Sequence, residues 1–281
     1  MPDDFRCSTA SRLDDEPLAG TAPTDRAFLF VEYAGAWGRD APSMLTEHVV
    51  VPDGIRPQLI RRHRGQSRHG LTVFAAWLDG DRFAVETTRL SSLAELSGLD
   101  LAALAEGRSP GLTPHDDLLW LVCTNGRRDV CCAELGRPVT ATLAQSWPAE
   151  TWETTHLGGH RFAATLLALP SGITLGRLDP ASALQGCREV AAGAHPVARS
   201  RGRAGLPGAV QAAELHLVGE LGRPVTLTGV RVEGDRTEVT SDAGTVVVRT
   251  TRGQPRRQSC ADLKTKPAAE YVVVAGLGST A

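Results

Sequence analysis

The chain has 281 residues, 42% hydrophobic and 22% charged, with a formal net charge of −2 at pH 7. That balance is ordinary for a globular protein with a sizeable core, and nothing global draws it to nucleic acid or to an anionic membrane. No apolar run approaches the roughly 18 residues of a spanning helix, and the acidic, polar start "MPDDFRCSTASRLDDEP" is the opposite of a signal peptide.

Residues 1–24 carry acidic, Pro, Gly and Ser/Thr residues without periodicity and read as a loosely ordered arm. "AFLFVEY" (27–33) is a strand, and a short helix over "MLTEHVV" starts with Ser43 as its N-cap. "LTVFAAWLDGDRFAVETTR" (71–89) reads as two apolar strands joined around Asp79-Gly80-Asp81, and "SSLAELSGLDLAALAEG" has helical spacing behind a capping serine. Residues 25–114 are therefore expected to form an α/β unit.

Residues 115–196 follow the same plan. "DLLWLVC" (117–123) is a strand, "CCAELGRPVTATLAQSW" (131–147) a helix despite Pro138, and "TWETTH" a short strand. "RFAATLLALPSGITLGRL" (161–178) turns at Pro170-Ser171-Gly172, and "DPASALQGCREVAAG" (179–193) is a helix capped by Asp179 with Pro180 at its first position. Strand, loop ending in Arg-Asp, helix, hairpin, helix thus occurs twice. A duplication accounts for this, as does the frequency of that element order. Residues 197–281 begin as a basic, Gly/Pro-rich connector (197–209). They continue as a small antiparallel sheet with turns at Glu233-Gly234-Asp235 and Asp242-Ala243-Gly244, and "EYVVVAG" (270–276) closes it.

The chemistry concentrates in "LVCTNGRRDVCC" (121–132) and "WETTHLGGHRFAAT" (152–165). A cytoplasmic setting is expected, where thiols stay reduced and clustered cysteines serve as ligands or redox groups. Cys123 ends an apolar strand. Cys132 stands at a helix start, whose partial positive charge favours a thiolate. His156 and His160 are spaced i and i+4 across Gly158-Gly159, glycines that let the backbone turn tightly and approach a bulky inorganic group. Side chains of the neighbours Cys131 and Cys132 diverge, and Cys132 is the preferred ligand. A zinc site accepts two Cys and two His, but its cysteines usually stand on a tight knuckle. The Cys-x8-Cys spacing suits a [2Fe–2S] cluster with one ligand pair per iron. Unlike in a Rieske domain, both Cys precede both His.

These two motifs, with "GTAPTDRAFLFVEYAGAWGRDA" (20–41), resemble the sucrase/ferredoxin-like family, related to thioredoxin-like [2Fe–2S] ferredoxins. In four-cysteine relatives the second ligand pair is C-x3-C; here that slot reads His156-x3-His160, as in members with bis-histidine clusters. The resemblance implies a thioredoxin-like fold over about 115–195, with Cys123 and Cys132 on one iron and His156 and His160 on the other. Phe162-Ala163-Ala164 lacks the proline that thioredoxins carry there, and C-x2-C is absent, so thiol–disulfide catalysis is not expected. No convincing carboxylate pair supports glycoside hydrolysis, despite the family's name.

Two thiolates and two neutral imidazoles bring an oxidised [2Fe–2S] site to charge 0, against −2 with four thiolates. Its potential is expected well above roughly −400 mV and to depend on pH. The expectation is an electron carrier or redox sensor working with a redox protein or reductase, without nucleic acid or membrane, rather than an enzyme with its own substrate. A zinc-stabilised binding module and a thiol enzyme using Cys131 or Cys132 are the alternatives. Arg127, Arg128 and Arg161 flank the ligands and would steer an acidic partner or sit solvated. Glu153, Thr154 and Thr155 are candidate acceptors behind the histidines. The basic run "RRHRGQSRHG" (61–70) lays Arg64 and Arg68 opposite His156 and His160 when the two units are aligned, and is expected to be an exposed loop or a docking site. Cys7, Cys187 and Cys260 have no companions at ligand spacing, and Cys187 is expected in the core.

Overall fold

The structure, a computed structural model, describes residues 4–65 and 70–277. Its first element is a helix, Cys7–Leu13 (α1), with Cys7, Ser8 and Ser11 buried. Residues 4–24 thus include an anchored helix where composition suggests a loosely ordered arm. Arg161 Nε donates to Glu16 Oε1 at 2.7 Å, and Arg177 donates to the Ser11 and Glu16 carbonyls at 2.9 and 2.6 Å. Those partners are remote in sequence, so no local pattern announces the helix.

In the first unit Ala27–Glu32 (β1) is buried at every position and pairs in parallel with Ile55–Arg61 (β2). Their connection carries a 3-10 turn, Ala41–Glu47, where an α-helix from Ser43 was expected. Leu71–Asp79 (β3) lies antiparallel to β1, and Arg82–Leu90 (β4) returns along it across a turn with Gly80 at φ 62°. Ser92 leads into a 3-10 turn without capping it; the α-helix Leu101–Ala105 (α2) is capped instead by Asp100, which accepts the Ala103 N–H at 2.9 Å. Thr113–Pro114 (β5) borders β4.

The second unit repeats these pairings. Leu119–Cys123 (β6) and Thr151–Thr154 (β7) run parallel, joined by Val130–Ser146 (α3), which holds Pro138 inside it. Leu166–Leu169 (β8) is antiparallel to β6, and Ile173–Leu175 (β9) is antiparallel to β8. Pro180–Ala191 (α4) follows, with a reciprocal cap between Asp179 and Ser182. Strand order β2-β1-β3-β4 in one unit matches β7-β6-β8-β9 in the other. The edge strands β2 and β7 then pair antiparallel, Ile60 opposite Thr154 and Arg61 opposite Glu153, so both units share one ten-stranded sheet.

The stretch 197–209 is more than a connector. Ser200–Arg203 (β10) pairs with β9, and Gly208–Leu221 (α5) is buried along most of its length. The C-terminal strands Leu227–Glu233 (β11), Arg236–Ser241 (β12) and Gly244–Arg252 (β13) form the expected antiparallel sheet. After the small pairing of Arg256–Arg257 (β14) with Thr265–Lys266 (β15), Ala269–Ala275 (β16) completes it. Val239, Val246 and Val248 of that sheet pack on Ala209, Ala213 and Leu217 of α5. Among the described residues no helix is long and apolar enough to cross a membrane.

Candidate metal centre

Side chains of β6 alternate between two cores: Trp120 and Val122 face one, Leu119, Leu121 and Cys123 the other. The chain leaves β6 through a turn in which Asn125 Oδ1 accepts the Arg127 and Arg128 N–H groups at 3.2 and 3.3 Å. Asp129 then caps α3, its Oδ1 accepting the Cys131 N–H at 3.0 Å, which sets Cys132 in the first turn. Cys132, Gly136, Val139 and Leu143 make the buried face of α3. The helix comes so near β6 that a Cβ on Gly136 would overlap the Cys123 carbonyl oxygen.

The histidine loop is held as firmly. Thr155 Oγ1 donates to Gln58 Oε1 at 2.6 Å and accepts the Leu59 N–H at 3.0 Å. The His156 carbonyl accepts from Arg56 Nη2 at 2.6 Å. Gly158 and Gly159 adopt φ of 87° and 66°, conformations that suit glycine. Their expected role changes in detail, because a Cβ on Gly159 would lie 2.9 Å from Arg201 Cζ. What approaches that glycine is the guanidinium of Arg201, which is 2% exposed and donates to the Gly158 carbonyl at 3.0 Å and to Thr21 Oγ1 at 3.1 Å. Burial lowers its pKa to about 9, the charges of Arg161 and Arg56 adding to the effect. Arg201 lies in the stretch that composition assigned to a connector, and nothing in its local sequence marks it.

The sulfurs of Cys123 and Cys132 and a ring nitrogen of His156 lie within 4.8 Å of one another. His160 Nδ1 is not within that group but stands 3.3 Å from His156 Nε2, with the rings 4.7 Å apart at 36°. That separation matches the edge of a tetrahedron with metal–nitrogen bonds of about 2.0 Å. The other ring nitrogen of His156, Nδ1, is buried without a hydrogen-bond partner among the described residues. The donor set fits a thiophilic metal or a small cluster.

A hydrogen bond from the Cys132 thiol draws the Cys123 pKa below the ordinary thiol range against its burial, and His156 lowers it further. The same contact, together with burial, raises Cys132. His160 falls to about 4, through burial first and then the neighbouring His156, so its ring is neutral near pH 7 and offers a lone pair.

The acceptors expected behind the histidines are engaged elsewhere. Glu153 takes hydrogen bonds from Arg61 and Thr124, each at 2.9 Å, and Thr155 is bound to Gln58. The carboxylate nearest the ring of His160 is Asp129, 3.9 Å from Nε2. Its helix-capping position is the one sequence signal that marks it. Arg161 is tied to Glu16 and is not free to steer a partner; Arg127 is exposed, and Arg128 lines a cavity of about 250 Å³ with Arg39, Arg56 and His156. Within the basic run, Arg61 pairs with Glu153 and Arg62 stacks on Trp152 while donating to the Pro148, Ala149 and Thr151 carbonyls. Those two are structural rather than solvated, and Arg68 lies outside the described residues.

Cys187 is a core residue of α4, its thiol pushed up to about 12 by burial. Cys7 and Cys260 are not isolated: they meet Cys131 and Asp129 in a second cluster able to hold a metal. There Cys131 is drawn down to about 6, first by a hydrogen bond from Cys7, and Cys260 is raised to about 12 by burial.

Two units of matching strand order in one sheet, the second bringing thiols and imidazoles together at the end of β6, define an α/β protein with a candidate metal centre. The chain belongs to the sucrase/ferredoxin-like family, whose model matches residues 19–197. No curated protein and no solved structure matches it.

Proposed function

We propose that this protein is an electron carrier or redox sensor in which Cys123, Cys132, His156 and His160 hold a [2Fe–2S] cluster. The observation that carries the reading is the convergence of buried Cys123 and Cys132 with half-buried His156 within 4.8 Å, the fourth group standing 3.3 Å from His156. Family membership supports it. So does the topology of the second unit, where order β7-β6-β8-β9, with α3 as crossover and α4 last, suits a thioredoxin-like ferredoxin domain.

The bound cluster would supply one-electron chemistry at a potential well above roughly −400 mV, because neutral imidazoles replace two thiolates. The chain's own groups set the conditions for it. His160 offers a neutral ring, Asp129 lies beside that ring as an acceptor, and Arg201 fixes the loop through Gly158. Arg39 and Arg128, which line the cavity beside His156 together with Asp40, suit an acidic redox protein or reductase as partner, in a cytoplasmic setting.

Metal and sulfide analysis tests the proposal. Protein purified in air should be reddish-brown with equal iron and acid-labile sulfide, and His156→Cys or His160→Cys should lower its midpoint potential and flatten its pH dependence. Colourless protein carrying zinc that is lost on Cys123→Ser would overturn it.

A further inference from the structure

Cys131 and Cys132 are adjacent on α3 yet serve different neighbourhoods. Cys132 faces Cys123 and His156, whereas Cys131 turns to α1 and the loop between β14 and β15. Around Cys131 the sulfurs of Cys7, Cys131 and Cys260 form a triangle with sides of 3.8, 3.3 and 3.5 Å. Both carboxylate oxygens of Asp129 lie 3.6 Å from Cys7 Sγ, and one ligand atom from each of the four residues falls within a 4.8 Å group. Cys7, Cys131 and Asp129 are buried and Cys260 half-buried.

We infer that Cys7, Cys131, Cys260 and Asp129 form a second metal site, taking a single zinc-like divalent ion in tetrahedral S3O coordination. Zinc–sulfur bonds of about 2.3 Å give a tetrahedral edge of about 3.8 Å, close to the observed triangle. Closing any side into a disulfide would require an approach to about 2.05 Å. The triangle has the size that one tetrahedral ion requires.

Surrounding donors suit anionic sulfur. Ser8 Oγ donates to Cys131 Sγ at 3.2 Å, and the Cys7 N–H donates to Cys260 Sγ at 3.3 Å. Asp129 is oriented by the Cys131 N–H at 3.0 Å and the Cys260 N–H at 2.8 Å, leaving each oxygen a further lone pair. The α3 N-terminus adds partial positive charge beside the site. Binding the ion releases the thiol protons to solvent and changes no oxidation state.

The site ties three distant parts of the chain together: α1, the cap of α3, and the C-terminal loop. Cys7 and Cys260 lie outside residues 19–197, so the clamp is built from segments beyond the family's matched region. Its place over the α3 N-terminus makes it a brace for the helix that presents Cys132.

The test is elemental analysis of the full-length protein, purified under reducing conditions, with iron and zinc measured on the same sample. One zinc per chain is expected beside any iron. Cys7→Ser and Cys260→Ser should lose the zinc while keeping the iron, and Cys123→Ser should lose the iron while keeping the zinc. Zinc absorption-edge spectra of the wild-type chain, which need no variant to fold, should show about three sulfurs and one light atom. A chain that binds neither zinc nor added Co²⁺ would refute the site, as would zinc content unaffected by Cys260→Ser or a mass two hydrogens light from a disulfide within the triad. Because iron is read separately, failure of the zinc site leaves the cluster proposal standing, and the reverse.

Discussion

Gly136→Ala puts the packing at the metal centre to a direct test. Gly136 is buried on the α3 face that meets β6, and a Cβ built there overlaps the Cys123 carbonyl oxygen, with the carbonyl carbon at 3.2 Å and Thr124 Cγ2 at 3.4 Å. Two effects oppose each other. Alanine in a helix interior gains about 0.8–1 kcal/mol over glycine. Against that, the obstacle is strand backbone rather than a flexible side-chain tip, so α3 must retreat by roughly 1 Å, and overpacking of this kind costs about 1–3 kcal/mol. The clash should win, with a net loss of up to about 2 kcal/mol in urea unfolding at unchanged m-value. Retreat of α3 also carries Cys132 away from Cys123, so less metal should copurify per chain. Arg137→Ala, one residue on and exposed, is the control and should stay within about 0.5 kcal/mol. An alanine variant more stable than wild type by the propensity gain, with full metal content, would show that α3 does not press on β6 as described.

Three further outcomes are expected. Arg201→Ala should destabilise the protein by about 3 kcal/mol, since it strips hydrogen bonds from the Gly158 carbonyl and Thr21 and empties a buried volume; hydrogen exchange should rise first around residues 18–22 and 156–162. Glu153→Gln should cost about 2 kcal/mol by removing the charge that faces Arg61 at 2.8 Å across the β2–β7 seam, and a loss under about 0.3 kcal/mol in denaturant titration would deny the seam that role. His195, with Nε2 2.8 Å from Ser200 Oγ, has its pKa lowered from 6.5 to about 4 by burial and by the charge of Arg203. The unfolded chain takes up this proton near 6.5 and the folded one only near 4, so stability is full above that window and falls by up to ~3 kcal/mol as pH drops through it. His195→Gln should flatten that part of the stability–pH curve, and parallel curves for variant and wild type would contradict the assignment.

Much of the second unit was legible because its signals are local. Asp179-Pro180 caps α4, and the apolar run 117–123 reads as a strand that ends in Cys123. The Ser92 cap misled, since Asp100 offers a carboxylate to the backbone of α2 whereas the Ser92 hydroxyl caps nothing. The helix expected from Ser43 tightened into 3-10 turns beginning at Ala41, with Pro42 near its start.

Sequence by itself determined many of the periodic elements and the two motifs that bear ligands, because each is written in residues a few positions apart. Tertiary structure alone decided that β2 and β7 fuse both units into one sheet, that Arg201 fills the space above Gly159, and that Cys7 and Cys260 reach Cys131. Those contacts join segments many tens of residues distant, where helical or strand periodicity carries no trace of a partner. Only the closing of the chain on itself brings such groups to bonding distance.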